Sequence, residues 1–81
     1  GMKEQAVQTL ANMKAVLEAA GLTVTDIAKT TVFVTNMDDF AAFNEVYAAF
    51  MGEHRPARVC VEVSNIAHGC LLEMDAICFK E

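Results

Sequence analysis

The chain has 81 residues, enough for one domain with one core, which excludes a multidomain enzyme. Hydrophobic residues make up 54% and charged residues 21%, with one Pro and four Gly, so the chain is too apolar for a disordered segment and small enough to profit from subunit contacts. Eleven Asp and Glu against six Lys and Arg give a net charge of −5, a poor match for nucleic acid, and no apolar run nears the roughly 20 residues of a membrane span.

Gly1 ahead of Met2 reads as an added residue, so the single domain is taken as residues 2–81. Residues 3–20 set Ala6, Leu10, Met13, Leu17 and Ala20 on one side, the spacing of an amphipathic helix, and Gly21 ends it as a left-handed cap. Residues 27–35 are β-branched and aromatic and predict a strand covered on both faces, with Ala28, Thr30, Val32 and Val34 on one of them. Asp38 or Asp39 is placed to cap a second helix, in which Phe40, Phe43, Val46, Tyr47 and Phe50 form an aromatic stripe for the core and Gly52 closes the end.

Residues 58–63 alternate with a period of two, Val59, Val61 and Val63 against Arg58, Cys60 and Glu62, which predicts a strand with one oily and one ionic face. After a loop over 64–70, residues 71–79 repeat the pattern, with Leu72, Met74, Ala76 and Cys78 opposite Glu73 and Asp75. The order helix, strand, helix, strand, strand gives an α+β fold, two helices on one face of a three-stranded sheet with a right-handed parallel crossover. The other face is expected to carry Arg58, Cys60, Glu62, Glu73 and Asp75 beside Phe33 or Ile77, and to meet another subunit.

Both arginines, Arg55 and Arg58, flank Pro56, and a guanidinium fork at the head of a strand suits the carboxylate of a small organic acid. The competing reading is an ion pair with Glu53, Glu62 or Glu73. Cys60, two residues beyond Arg58, could be activated by the cation, or could be a small apolar filler like Cys70 and Cys78. The three cysteines have no CxxC spacing and point to a reducing, cytoplasmic setting; a zinc site from Cys60, His68 and Cys70 lacks paired-ligand spacing, so no metal is expected. Glu73 and Asp75 could position a water or could be solvated acids, and His54 and His68 read as surface histidines without partners. Phosphate-binding and dinucleotide motifs are absent.

Residues 30–63, TTVFVTNMDDFAAFNEVYAAFMGEHRPARVCVEV, resemble the RidA/YjgF family, also known as L-PSP endoribonucleases or translation inhibitors. The likeness rests on Thr35, Met37, Asp39 and Phe40, then Asn44, Tyr47 and Phe50, then Arg55-Pro56-Ala57-Arg58 and Val61-Glu62-Val63, with QTLANMKAVLEAAG at 8–21 extending it over nearly the whole chain. The resemblance implies a chorismate-mutase-like fold with residues 28–35 as the central strand, homotrimers with ligand clefts between subunits, and cofactor-free hydrolysis of 2-aminoacrylate or 2-iminopropionate to a 2-keto acid and ammonia. It further implies that Arg58 grips the substrate carboxylate, Cys60 lines the cleft and Glu73 orients the attacking water.

Ile66-Ala67-His68-Gly69-Cys70 departs from the family's usual Leu-Pro and Gly-Ala pattern, and Asp75 stands where a second Glu is common. Members of that family begin with a β-strand segment of about 40 to 50 residues, about three strands, so the expectation here is a truncated fold whose strand 71–79 has an open edge. Three functions follow as alternatives: an imine deaminase, a non-catalytic module that binds small acids or assembles subunits, and a ribonuclease disfavoured by the charge.

Overall fold

The computed structural model describes residues 1–80. Helix α1 spans Met2–Ala19, strand β1 Ile27–Val34, helix α2 Phe40–Met51, strand β2 Ala57–Glu62 and strand β3 Leu72–Cys78, with single 3-10 turns at Val24–Asp26, Met37–Asp39 and Ala67–Gly69. The sheet order is β2-β1-β3, with β1 parallel to β2 and antiparallel to β3. The long crossover through α2 makes the parallel pair possible and leaves β1 central. The two helices and mixed three-stranded sheet are the α+β architecture anticipated above.

Helix α1 buries Met2, Ala6, Leu10 and Leu17, a stripe at helical spacing. Its end is a Schellman turn: Leu22 N–H donates to Leu17 O at 2.8 Å and Gly21 N–H to Glu18 O at 3.0 Å. That closure requires a left-handed residue, and Gly21 sits at φ 75°. Helix α2 buries Phe43, Tyr47 and Met51 against β1, where Thr30, Val32 and Val34 are fully enclosed. Burial of each large side chain here stabilises the fold by roughly 1.5–3 kcal/mol relative to exposure. Beneath α2, the Thr30 hydroxyl and the Tyr47 hydroxyl share a buried hydrogen bond of 2.8 Å, so neither polar group is orphaned.

Several details depart from the expected pattern. Ala28 does not share the core face with Thr30, because the register with β3 slips between Ile27 and Lys29; the irregularity leaves Ala28 exposed and turns Ile27 inward at 1% exposure. Strand β1 is covered on one face only, and Lys29, Thr31 and Phe33 on the other lie open or half-open. Asn36 caps the 3-10 turn ahead of α2, its side chain accepting from Asp38 N–H at 3.0 Å; Asp39 holds the N-cap position of α2 itself but makes no side-chain capping hydrogen bond. His54 has a partner after all, its Nε2 meeting the Ile27 carbonyl oxygen at 2.7 Å.

The largest correction concerns β2. Its register sets Arg58 beside Thr30, Cys60 beside Val32 and Glu62 beside Val34, all residues of the helix-covered face. The valines therefore point to the uncovered face, with Val59 at 44% and Val61 at 38% exposure. Strand periodicity fixes which residues share a side but not which side faces the helices. Here the Arg58 guanidinium finds the rings of α2, and its flat apolar face suits that contact.

Candidate active site

Arg58 lies near the start of the edge strand β2, where the chain leaves the Gly52–Pro56 turn. Its guanidinium carbon stands 4.7 Å from the centre of the Tyr47 ring and 5.0 Å from that of Phe40. Its Nη1 donates to Asn44 Oδ1 at 2.6 Å, so three residues of α2 spaced at 40, 44 and 47 hold one side chain. The rings stabilise the cation without consuming its hydrogen-bond donors, and one amide takes a single donor of the five. Among the described residues no carboxylate lies within 4 Å of this guanidinium. Glu62, one of the expected ion-pair partners, instead accepts from Met37 N–H at 2.7 Å and fastens the turn ahead of α2. The arginine is thus oriented, charged and open to an anion.

Beside it is a cavity of about 420 Å³, lined by Asn44, Tyr47, Ala48, Met51 and Pro56 together with both arginines. A small organic acid fits within that volume. Cys60 follows Arg58 on the same strand face and is half-buried. Burial pushes its thiol above the usual range and the Arg58 charge offsets this only in part, so the activated thiolate considered from the sequence is not what the environment favours.

Glu73 does not join them. It pairs in register with Phe33 on the open face of the sheet, together with Asp75, while Arg58 and Cys60 occupy the helix side. Strand β1 lies between, a lateral gap of two strand spacings or roughly 10 Å. The single ionic face expected from the sequence is therefore divided: Arg58, Cys60 and Glu62 on one side, Glu73 and Asp75 on the other. The open face also carries Ile77 at 62% exposure on β3 and, across β1, Val59 and Val61 on β2. His68 is exposed in the β2–β3 connection at φ 62°, and no three His, Cys, Asp or Glu side chains among the described residues gather to hold a metal.

The sequence pattern assigns Phe40 and Tyr47 to the core stripe and marks Asn44 only through the family likeness, none of them as a partner of Arg58. The signal was available, since Asn44 interrupts an otherwise apolar stripe at the i+4 position from Phe40. Arg55 was noticed for its nearness in sequence, but its sharing of one cavity with Arg58 is a property of the folded turn.

The family model described as "Endoribonuclease L-PSP" matches residues 1–80. A RutC family protein of Pyrococcus horikoshii is 51% identical over 80 residues, covering 99% of this chain and 64% of that protein. A 2-iminobutanoate/2-iminopropanoate deaminase of Salmonella typhimurium is 51% identical over 79 residues, covering 94% of this chain and 62% of that protein. The chain thus spans under two thirds of the length of these relatives. Among solved structures, Escherichia coli TdcF with bound serine superposes with a TM-score of 0.95 at 44% identity, covering 100% of this chain and 66% of that one.

Proposed function

Since the chain belongs to the endoribonuclease L-PSP family, the RidA/YjgF proteins, we propose that it is an imine deaminase acting on small 2-imino acids at a cleft between two copies of the chain. The observation that carries this reading is the Arg58 guanidinium, held by Asn44, Phe40 and Tyr47 beside a cavity and left without a carboxylate partner among the described residues.

Arg58 binds the substrate carboxylate through its planar fork, which fixes the adjacent C=N carbon. Water adds to that carbon: a C–O bond forms and one water proton moves to nitrogen. The resulting amino alcohol passes its hydroxyl proton to nitrogen, the C–N bond breaks, and ammonia leaves a 2-keto acid. The chemistry needs orientation and proton transfer and no redox step. Cys60, favoured as the neutral thiol, follows Arg58 on the same strand face but is not among the residues lining the cavity, and it takes no proton-transfer role.

Glu73 is the group assigned to orient the water, and one chain cannot bring it to Arg58 because β1 and the sheet itself intervene. A second copy, its open face and Glu73 packed across the first copy's β2 edge, would complete the site. The exposed Val59, Val61 and Ile77 supply the apolar surface for such packing. A one-directional contact of this kind can close into a ring, and the trimer implied by the family resemblance is one such ring. RNA is a weaker substrate choice, with a net charge of −5 and two arginines to meet a phosphate backbone.

Complementation tests the shared cleft. Arg58→Ala and Glu73→Gln are each expected to abolish hydrolysis of 2-iminobutyrate generated in situ. Dissociating and reassembling the two variants in equal amounts should restore about a quarter of wild-type activity, because that fraction of sites draws both intact residues from different chains in any cyclic assembly. No recovery from verified mixed oligomers would refute the shared cleft. Binding of 2-ketobutyrate by wild type without any turnover would point to a non-catalytic acid-binding module instead.

A further inference from the structure

The cavity beside Arg58 contains a second cation that hydrolysis of a monocarboxylic imine leaves unused. Arg55 lines the same space, and the chain between the two arginines is an extended turn through Pro56, so their Cα atoms are at most about 10 Å apart. Arg55 Nη1 donates to the carbonyl oxygens of Gly52 and His54, the latter at 3.0 Å, which anchors the side chain over the end of α2. One nitrogen of the fork is committed there; the Nη2 and Nε donors remain for another partner. Among the described residues no carboxylate stands within 4 Å of Arg55 either, and the recorded ion pairs use Lys3 and the Gly1 amine.

Neither of the two guanidinium groups has a carboxylate partner among the described residues, although the chain has eleven acidic residues and a net charge of −5. Brought to one cavity they repel each other, and a ligand with a single negative charge relieves only half of that field. Ala48, Met51 and Pro56 add apolar surface to the same lining, beside the polar Asn44 and Tyr47. Two cations and some apolar surface in one cavity suit a short aliphatic diacid, with a carboxylate for each fork and methylene groups for the apolar side chains.

Building on the deaminase reading, we infer that Arg55 is a specificity-determining anion subsite that selects 2-imino and 2-keto acids carrying a second carboxylate at the end of a short aliphatic chain. Arg58 takes the carboxylate next to the reacting carbon and Arg55 the distal one. The reaction is unchanged: water and the imino diacid give the keto diacid and ammonia.

Calorimetric titration of the folded 81-residue chain with 2-ketoglutarate and 2-ketobutyrate tests this, together with rates on the corresponding imines. Wild type is expected to bind the diacid at least fivefold more tightly. Arg55→Gln should bring the affinity ratio to about one, whereas Arg55→Lys, which keeps the charge, should retain most of the preference. A ratio near one in wild type, or a ratio unchanged in folded Arg55→Gln, overturns the inference. Should Arg55→Gln fail to fold for want of its contacts to Gly52 and His54, the wild-type and Arg55→Lys ratios decide, and an Arg55→Lys ratio near one counts against the charge-based subsite. Absence of turnover on every imine, with the affinity ratio intact, would sink the deaminase reading alone and leave the subsite standing.

Discussion

Replacing Asn44 by Asp tests whether an unpaired Arg58 is the acid-binding group. The Asn44 amide oxygen sits 2.6 Å from Arg58 Nη1, so the substitution sets a carboxylate against the guanidinium with almost no change of shape. A ligand carboxylate on the free edge of the fork would then lie about 5 Å from this new charge, a repulsion of about 0.8 kcal/mol in water and about 3 kcal/mol at an effective dielectric constant of 20. Arg58 is exposed, so the lower half of that range applies, and 2-ketobutyrate should bind roughly 5- to 30-fold more weakly. Asn44→Ala removes one hydrogen bond but leaves the stacking on Phe40 and Tyr47, a loss of about 0.5–1.5 kcal/mol, or roughly 2- to 10-fold. The expected order of affinity by calorimetry is therefore wild type, Asn44→Ala, Asn44→Asp. Because the Arg58 guanidinium stabilises the introduced carboxylate in its charged form, the Asn44→Asp defect should persist as the pH falls to the ordinary carboxylate range. Wild-type affinity in Asn44→Asp would refute the reasoning, because an acid held by Arg58 has to feel that charge.

The buried bond between Thr30 and Tyr47 should appear as strong coupling in a double-mutant cycle. Thr30→Val and Tyr47→Phe each strand one hydroxyl and are expected to cost about 1–3 kcal/mol, while the double variant costs much less than the sum; urea unfolding at fixed protein concentration checks this, and additive losses would contradict it. Cys60 has its thiol pushed up by burial, so the folded state favours the protonated form. Its contribution to stability is complete below the ordinary thiol range and is lost as the pH rises from there through the raised folded-state value. Alkylation at Cys60, read by peptide mass mapping, should be slower in the native chain than in urea at pH 8, and equal rates would rule out the shift. On the open face, Val61→Lys places a charge in the proposed subunit contact, and light scattering should report a shift toward monomer; an unchanged mass would move the contact elsewhere.

The sequence by itself determined the elements and their faces in a relative sense. The stripe of α1 and its Gly21 stop, the apolar run of β1, the aromatic stripe of α2 and the two-residue alternation of β2 and β3 are local patterns, set by side-chain periodicity and backbone freedom over a few residues. The residue types around Pro56 marked Arg58 as a candidate for a small acid with an ion pair as the alternative, and the motif likeness pointed to the family that the comparison identifies.

Tertiary structure decided everything that depends on where a face points. Alternation in β2 is satisfied equally by valines inward or arginine inward; pairing beside Thr30 and Val32, with the rings of α2 above, selects the second. The same choice puts Arg58 and Glu73, expected on one face, on opposite sides of the sheet. Asn44 became part of the site only when α2 lay across the start of β2, and Arg55 only when the turn through Pro56 folded its side chain toward the same cavity. The sequence carries periodicity, while long-range packing of one element on another carries sidedness, since a strand's pattern is unchanged when it is turned over.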